Sequence, residues 1–318
     1  MKKTGLLLFL SLALAAPAQQ PAGASDQSAP AGTVVSSANF PTERMATPTY
    51  SDIYCAGFVT RTPVPDANFI AGGLDTPNTT KYGRSELVYL TGKGYEAGKR
   101  YSIVRAVRDP NRYEVYPGQF TQLQSMGQPY AELGTIRVVD TRSKSAIAQI
   151  EMSCGPMMPG DVVTSFVERA SIPDHGPLRF DRFVPSSGKA TGRIVMAKDF
   201  DTELGTGMKV YMNLGANQGI KPGDYLRAVR SYEADLHDAT DSLSFKASTA
   251  DDTQVKPPAI EPTMLNRTNG PAIHVADLPR RAVGEIVILS ATPTTSTGMI
   301  VFALEDMHIG DVVEMDQQ

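Results

Sequence analysis

Apolar and polar residues alternate in many short runs along this chain. Residues 146–150 and 296–300, for example, each alternate small or polar residues with apolar ones. A period of two is typical of a strand that buries one face. Only residues 119–126 and 232–245 are compatible with short helices. The pattern therefore predicts an all-β protein.

The second half of the chain repeats the first. Residues 134–163 and 284–313 both begin with Gly-x-Ile and end with Gly-Asp-Val-Val, at a constant offset of 150. Upstream of these residues, a second pair of similar blocks matches at an offset of 122. An alternative register, shifted by three residues, pairs Gly98 with Gly223 instead. With the offset of 122, the second copy has 28 extra residues between Arg230 and Gly284. The upstream matches are 87–90 with 209–212 and 105–108 with 227–230, preceded by the apolar runs 56–59 and 191–195.

Each repeat contains about five or six short strands with one long internal loop. Strands this short cannot bury both faces in an open sheet, which favours a small closed barrel or a sandwich in each repeat. Gly-Asp pairs mark tight turns, in which glycine takes a positive φ and aspartate accepts a backbone N–H as the next strand begins. The turn-forming residues are Gly160, Asp161, Gly223, Asp224, Gly310 and Asp311.

The N-terminus has the pattern of a secretory signal. Lys2 and Lys3 precede an apolar run of about 11 residues and a small-residue cleavage site, and such a run is too short to span a bilayer. We expect a protein exported to the periplasm, without a transmembrane segment. The predicted organisation is a signal peptide (1–18), a flexible linker (19–48), a first β repeat (49–168), a linker (169–189) and a second β repeat (190–318) with an inserted loop (231–282).

The net charge and the two cysteines restrict the functions and the compartment that the chain can have. The chain has 30 basic and 34 acidic residues, a net charge of −4 that offers no basic surface for nucleic acid. Cys55 and Cys154 are the two cysteines. Export to an oxidising compartment favours a disulfide between them, and two buried free thiols are the alternative.

No sequence motif in the chain identifies a chemical reaction. Ser186-x-x-Lys189 matches a serine nucleophile motif in spacing, but Pro185 and Gly188 indicate a linker turn instead of a helix. The four histidines stand in different local settings, so no catalytic residue, metal site or cofactor is predicted.

The two long loops are the candidate interaction surface. Tyrosine and arginine are enriched at the energetic centres of interfaces, and long inserts on a duplicated scaffold are where partner recognition tends to evolve. The candidate residues are Arg108, Arg112, Tyr113 and Tyr116 in the first loop and Tyr232 and His237 in the second.

The run 210–230, with Asn213-Leu-Gly-Ala-Asn-Gln-Gly219 and Lys221-Pro-Gly-Asp224, resembles a module of exported bacterial envelope proteins. It is similar to the small β-barrel of the C-terminal domain of flagellar assembly protein T and to modules beside lysin-motif (LysM) domains. The first copy departs from it at residues 91–95, where the asparagine is missing. The resemblance implies a small β-barrel in each repeat and carries over no catalytic residue.

These observations favour a non-enzymatic module for interaction or assembly in the cell envelope, with an envelope protein as its partner. A peptidoglycan- or carbohydrate-binding protein is the alternative, although the chain lacks tryptophan. An envelope hydrolase is the third hypothesis.

Overall fold

The computed structural model describes residues 42–43, 45–76, 78–142, 144–173, 178–183, 185–231, 253–254, 273–274 and 279–316. Its helices are α1 (Tyr50–Tyr54), α2 (Gln119–Met126) and a 3₁₀ turn (Ala216–Gln218). Its strands are β1 (Thr42–Glu43), β2 (Phe58–Thr60), β3 (Phe69–Gly73), β4 (Leu87–Thr91), β5 (Arg100–Ala106), β6 (Gln128–Asp140), β7 (Ala146–Ser153), β8 (Val162–Ser165), β9 (Leu178–Arg179), β10 (Thr191–Ala197), β11 (Glu203–Leu204), β12 (Lys209–Met212), β13 (Tyr225–Arg230), β14 (Thr253–Gln254), β15 (Ile273–His274), β16 (Arg281–Ala291), β17 (Ser296–Ala303), β18 (Met307–His308) and β19 (Val312–Met315).

The chain forms two closed antiparallel barrels of six strands. The first runs in the order β6-β5-β8-β3-β4-β7 and closes by pairing β7 with β6, while the second runs β16-β13-β19-β10-β12-β17. The two orders are identical once β3, β4, β5, β6, β7 and β8 are matched with β10, β12, β13, β16, β17 and β19. The prediction of an all-β protein with two small barrels is confirmed, and closed barrels replace the sandwich alternative.

Irregularities in the strands repeat as faithfully as the strand order. Four register shifts in the first barrel have counterparts in the second, including the shift between Ile70 and Gly72 and the shift between Ile194 and Met196. Such bulges bend strands locally, and a small barrel needs these bends to close. Of the two stretches proposed as short helices, α2 is confirmed and 232–245 lies outside the described residues.

Strand pairing settles the register between the copies. Ile103 and Ala228 pair with Gly134 and Gly284, so β5 and β13 correspond at an offset of 125, the register that also aligns Gly98 with Gly223. The offset of 122 holds only for β4 and β12. The second connection is therefore longer by 25 residues instead of 28, since the offsets on its two sides are 125 and 150.

The matching of residues 56–59 with residues 191–195 was wrong. The counterpart of β10 is β3, because both strands pair with the same two neighbours in their barrels. Strand β2 instead adds to the outside of the first ring, and among the described strands its partner is β6.

An arginine–aspartate pair recurs at the same place in each barrel, with a half-buried arginine in the first barrel and a buried one in the second. Arg105 Nε and Nη2 lie 2.6 and 2.7 Å from the two carboxylate oxygens of Asp161. Arg230 binds Asp311 in the same bidentate way, at 2.8 and 2.7 Å. Because such paired bonds fix both distance and orientation, they tie β5 to the turn before β8, and β13 to the turn before β19.

The Gly-Asp turns have the geometry that their sequence indicates. Gly160, Gly223 and Gly310 have φ values of 93°, 91° and 109°. A carboxylate oxygen of each following aspartate accepts the backbone N–H three residues earlier, from Met158, Lys221 and His308, at 2.6 to 2.8 Å. Each aspartate therefore closes its own turn before the strand starts.

The outer wall of the second barrel is covered by chain that precedes it. Helix α1 begins with a capping box, in which Thr49 Oγ1 accepts the Asp52 N–H and Asp52 accepts the Thr49 N–H. Asp52 also lies 2.5 Å from Lys209 of β12. The apolar cluster under this cover contains Met45, Ile53, Tyr54, Ala56, Ile172, Phe180, Tyr225, Val229, Ala282, Val287, Leu289, Met299, Val301 and Phe302.

Residues 56–59 form the seam between the barrels. On one side, Phe58 and Val59 pair with Tyr130 and Pro129 of β6. On the other side, backbone carbonyls accept hydrogen bonds from side chains of the second barrel. These bonds run from Tyr211 Oη to Ala56 (3.0 Å), from Thr297 Oγ1 to Gly57 (2.9 Å) and from Thr295 Oγ1 to Val59 (2.6 Å). Both barrels therefore contact the same short segment, residues 56–59, which includes the first two residues of β2.

A disulfide fixes the start of this seam. Cys55, at the end of α1, is bonded to Cys154, which follows β7, with 5.6 Å between their Cα atoms. Because α1 packs on the second barrel and Cys154 belongs to the first, the bond joins the first barrel to the cover of the second.

No helix in the described parts of the chain combines the length and the apolar character needed to cross a membrane.

We predict that Gly57→Ala destabilises the fold far more than Gly94→Ala. Both glycines have positive φ, 75° and 79°, so both substitutions cost about 1–2 kcal/mol of backbone strain. A Cβ at Gly57 would lie 2.3 Å from Tyr211 Oη, whereas a Cβ at Gly94 meets nothing within 4 Å. Overpacking at the seam should add about 1–3 kcal/mol, measured by urea unfolding. Equal losses in the two variants would show that the seam tolerates the methyl group.

We predict that the denatured protein has no titratable thiol until a reductant is added. Replacing both Cys55 and Cys154 by serine should lower the free energy of unfolding by about 4–5 kcal/mol, because the bond closes a loop of 99 residues in the unfolded chain. Thiol titration and urea unfolding measure the two effects. Two free thiols without reductant would contradict the disulfide.

Candidate interaction site

The connection between β5 and β6 is held firmly against the second barrel. The Tyr116 ring lies against Gly310, and the Arg193 guanidinium carbon is 5.7 Å from the ring centroid. Tyr116 Oη donates to Gln122 Oε1 at 2.8 Å. Burial raises the pKa of Tyr116 to about 12, against the opposing effect of Arg193, so the hydroxyl remains a donor at neutral pH.

Helix α2 is held by a hydrogen bond to β10 of the second barrel and by hydrogen bonds to Glu114 at its first turn. Gln119, which is 2% exposed, donates from Nε2 to the Val195 carbonyl of β10 at 3.0 Å. The N-cap position is Gly118, which has no side chain to cap the helix. Glu114 takes that role, because its carboxylate accepts the N–H groups of Gly118 and Phe120 at 3.1 and 3.0 Å. The helix is therefore a rigid wall of the connection.

The other part of the connection projects into solvent. Tyr113 is 85% exposed, and Arg108 and Arg112 are also exposed. The turn below them is ordered, since Asp109 Oδ1 accepts the Asn111 N–H at 2.8 Å and Asn111 Nδ2 donates to the Phe200 carbonyl at 3.3 Å. An exposed tyrosine and two arginines are thus presented from an anchored loop.

A groove of about 370 Å³ lies between this loop and α2. Apolar side chains dominate it, and Arg108, Asp109 and three amide side chains supply the polar groups. Arg108 makes no ion pair with any residue that the structure describes. The groove is lined by Val107, Arg108, Asp109, Asn111, Phe120, Leu123, Gln124, Gly127, Gln128, Pro129 and Met196.

The structure places the residues predicted for this surface in different environments. Arg108 lines the groove, and Arg112 and Tyr113 stand in the exposed part of the same loop. Tyr116 is half-buried against the second barrel instead of facing a partner. Tyr232 and His237 lie outside the described residues. Sequence reasoning missed the lining from α2 and the contribution of Met196, and no local signal links Met196 to a loop some 90 residues earlier.

Among the described residues, the carboxyl whose pKa is raised most strongly lies elsewhere, in the outer wall of the second barrel. Glu285 is 1% exposed and pairs across the sheet with Arg227, which contacts Asp316 at 3.0 Å. Burial raises the pKa of Glu285 to about 8; the charge of Asp316 adds to the rise, and Arg227 opposes it. Glu285 Oε2 and Arg227 Nε have no hydrogen-bond partner in the described part of the chain. Glu285 does not line the groove beside α2.

Arg227 also pairs across the sheet with Glu314, and both carboxylate oxygens of Glu314 accept hydrogen bonds. Arg280 donates to both of its oxygens, at 2.9 and 2.8 Å, and Ser186 Oγ donates at 3.2 Å. Burial favours a higher pKa for Glu314, but the bonds from Arg280 outweigh it and lower the pKa. Ser186 of the Ser-x-x-Lys match is therefore a donor to a buried carboxylate.

Among the described residues, no group of three or more histidine, cysteine, aspartate or glutamate side chains is arranged to hold a metal ion.

Comparisons with known proteins found no match, either among protein-family models or among curated proteins.

We predict that Glu285→Gln removes a loss of stability at high pH. The buried carboxyl keeps its proton to about pH 8, whereas its ordinary pKa is 4.5, so the folded state binds more protons between these values. The stabilisation that comes from the protonated Glu285 is complete below about pH 4.5, and it is lost as the pH rises from there through about 8. Relative to Glu285→Gln, the wild type should lose up to about 1.4 kcal/mol per pH unit in this window.

Urea unfolding of the two proteins across this pH range measures the difference. Glu203→Gln, which removes an exposed carboxylate from β11, is the matched control and should run parallel to the wild type. Parallel curves for Glu285→Gln and wild type would contradict the buried protonated carboxyl.

Proposed function

We propose that this protein is an exported, non-enzymatic interaction module of the cell envelope that binds another protein through the β5–β6 connection. The observation that carries the proposal is the groove between α2 and the exposed loop. Both walls are anchored to the second barrel, so the site is formed before a partner arrives. Preorganisation of this kind lowers the ordering cost of binding.

The chemistry of the site suits a polypeptide. The apolar lining from Val107, Leu123 and Met196 fits an aliphatic or aromatic side chain. Arg108 stands in the same groove and can bind a carboxylate of the partner. Tyr113 and Arg112 extend the contact beyond the groove, and exposed tyrosine and arginine are the residues that most often dominate binding energy.

Two features support the non-enzymatic reading. The described lining contains one carboxylate, Asp109, and that group already accepts the Asn111 N–H. The carboxyl with the strongly raised pKa, Glu285, is buried in the wall of the second barrel, away from the groove. The described lining of the groove therefore does not bring a general acid and a general base together on one bound molecule.

Export is supported by the N-terminal sequence pattern and by the disulfide, because disulfides persist in oxidising compartments. The periplasm of a bacterium with two membranes fits both.

Peptidoglycan is a second candidate ligand. The Tyr113 ring is 85% exposed and offers a flat apolar face on which a sugar ring can stack. The aliphatic lining of the neighbouring groove favours the protein partner instead.

We test the function by placing a photo-crosslinking amino acid at position 113 in the native host. A protein partner should give a discrete adduct. Arg108→Glu reverses the charge in the groove and Gln124→Trp fills it, so each should reduce the adduct at least about tenfold. Thr121→Trp, at an exposed α2 position outside the groove lining, is the matched control and should leave the adduct unchanged.

Co-sedimentation with purified peptidoglycan sacculi separates the two ligands. We expect the protein to remain in the supernatant. Sedimentation that Tyr113→Ala abolishes would replace the protein partner by peptidoglycan. An adduct that Arg108→Glu and Gln124→Trp leave unchanged would overturn the groove as the site.

A further inference from the structure

The outer side of the first barrel presents an apolar area on β3, β4 and β7 that the described chain covers only in part. We define this β3–β4–β7 face by Ala71, Leu87, Tyr89 and Ile147. Ala71 is exposed and the other three are half-buried, and Tyr89 pairs across the sheet with Ile147. None of the four belongs to the core clusters of the described residues. The Tyr89 hydroxyl has no hydrogen-bond partner in the described part of the chain.

The corresponding face of the second barrel is a binding site for a short segment of the same chain. The residues at the positions of Ala71, Tyr89 and Ile147 are Val195, Tyr211 and Thr297. They are 0%, 1% and 2% exposed, in that order. Tyr211 and Thr297 donate hydrogen bonds to two backbone carbonyls of residues 56–59, at 3.0 and 2.9 Å. The second barrel therefore shows what kind of structure this face of the fold binds.

The first barrel keeps the tyrosine donor and makes the rest of the face more apolar. Tyr89 occupies the position of the tyrosine that binds the segment in the second barrel. Ile147 and Leu87 replace the polar Thr297 and Lys209. A segment that fits this face therefore offers a backbone carbonyl to Tyr89 and apolar side chains to its neighbours.

The tyrosine also selects a small residue in the bound segment. Gly57 has a φ of 75°, and a Cβ at this position would lie 2.3 Å from the Tyr211 hydroxyl. Because Tyr89 occupies the corresponding position, a segment bound in the same way needs a glycine next to its hydroxyl.

Charge at one end of the face adds a further requirement. In the second barrel, residues 56–59 run toward the start of β17. At the corresponding end of the first barrel, Lys144 precedes β7 and Lys93 follows β4, and both are exposed. Neither position is charged in the second barrel. Asp66 precedes β3 at the same end and offsets one of the two charges, which leaves the end positive. An acidic residue that follows the bound segment complements this charge.

We propose that the β3–β4–β7 face binds a short glycine-containing segment of another protein, in the way that its counterpart binds residues 56–59. The glycine lies beside the Tyr89 hydroxyl, apolar side chains contact Leu87 and Ile147, and an acidic residue follows beside the two lysines. This surface is separate from the groove of the proposed function, which lies at the β5–β6 connection.

Fluorescence anisotropy with a labelled peptide tests the proposal on the intact protein. The probe is the peptide Ser-Ala-Gly-Phe-Val-Asp-Glu, in which the sequence of residues 56–59 is followed by acidic residues. The second barrel already holds this sequence within the chain, so the first barrel offers the open site. We expect saturable binding. The same peptide with alanine in place of glycine should bind at least about fivefold more weakly, because its methyl group meets the tyrosine hydroxyl.

Two variants of the protein locate the peptide. Tyr89→Phe removes one hydrogen-bond donor and should weaken binding about fivefold. Ile147→Glu places a charge on the apolar face and should abolish binding. Thr164→Glu on β8, where the second barrel already has Glu314, is the matched control and should bind like the wild type. Arg108→Glu should also leave the affinity for the peptide unchanged, which separates this surface from the groove.

Sedimentation velocity without peptide tests a second copy of the chain as the occupant. The average mass should not change with protein concentration. A rise in mass that excess peptide reverses would assign the face to a second copy instead of another protein.

Two results of the titration would overturn the proposal. One is the absence of saturable binding to the wild type. The other is an affinity that Tyr89→Phe or Ile147→Glu leaves unchanged, although the variant has the circular dichroism spectrum of the folded protein.

Discussion

Residues 56–59 are the contact on which the arrangement of the two barrels depends. On one side this segment pairs with β6, and on the other side its carbonyls accept hydrogen bonds from Tyr211, Thr295 and Thr297. Buried carbonyls without partners would be costly, so each barrel satisfies groups that the other leaves open. The disulfide at Cys55 and the close approach of Tyr211 to Gly57 hold the same segment in place. The interaction groove depends on this seam, because Met196 and α2 meet only when the barrels are held together.

The duplicated barrels have kept their framework and changed their outer walls. The bidentate pairs of Arg105 with Asp161 and of Arg230 with Asp311 are retained, as are the four bulges. In contrast, the positions of Ser102, Thr135 and Thr164 carry Arg227, Glu285 and Glu314 in the second copy. This wall is covered by preceding chain, and a buried charge needs a partner there. The retained bulges and arginine–aspartate pairs fix how each barrel closes. The segments that cover a barrel determine which side chains its outer wall can contain.

The candidate site combines a loop that local sequence reveals with a wall that it does not. Arg108, Arg112 and Tyr113 stand out in the sequence because they cluster between two strands, and the structure leaves all three exposed. Tyr116 belongs to the same cluster, but it packs on Gly310 and serves as an anchor. Nothing near Tyr116 in the sequence indicates this, because its neighbour lies in the other repeat. The same long-range packing adds Met196 to the groove.

The sequence by itself determined the strand class, the duplication, the Gly-Asp turns and the pairing partner available to each cysteine. These features depend on local periodicity, on the backbone freedom of glycine and on the small number of cysteines. The tertiary structure alone decided the register of β5 against β13, the role of residues 56–59 and the formation of the groove. A three-residue shift leaves similar residue types aligned, so only the hydrogen-bonded partners Gly134 and Gly284 distinguish the registers. Which barrel face is covered is likewise a matter of contacts between residues far apart in the chain, and no local pattern contains them.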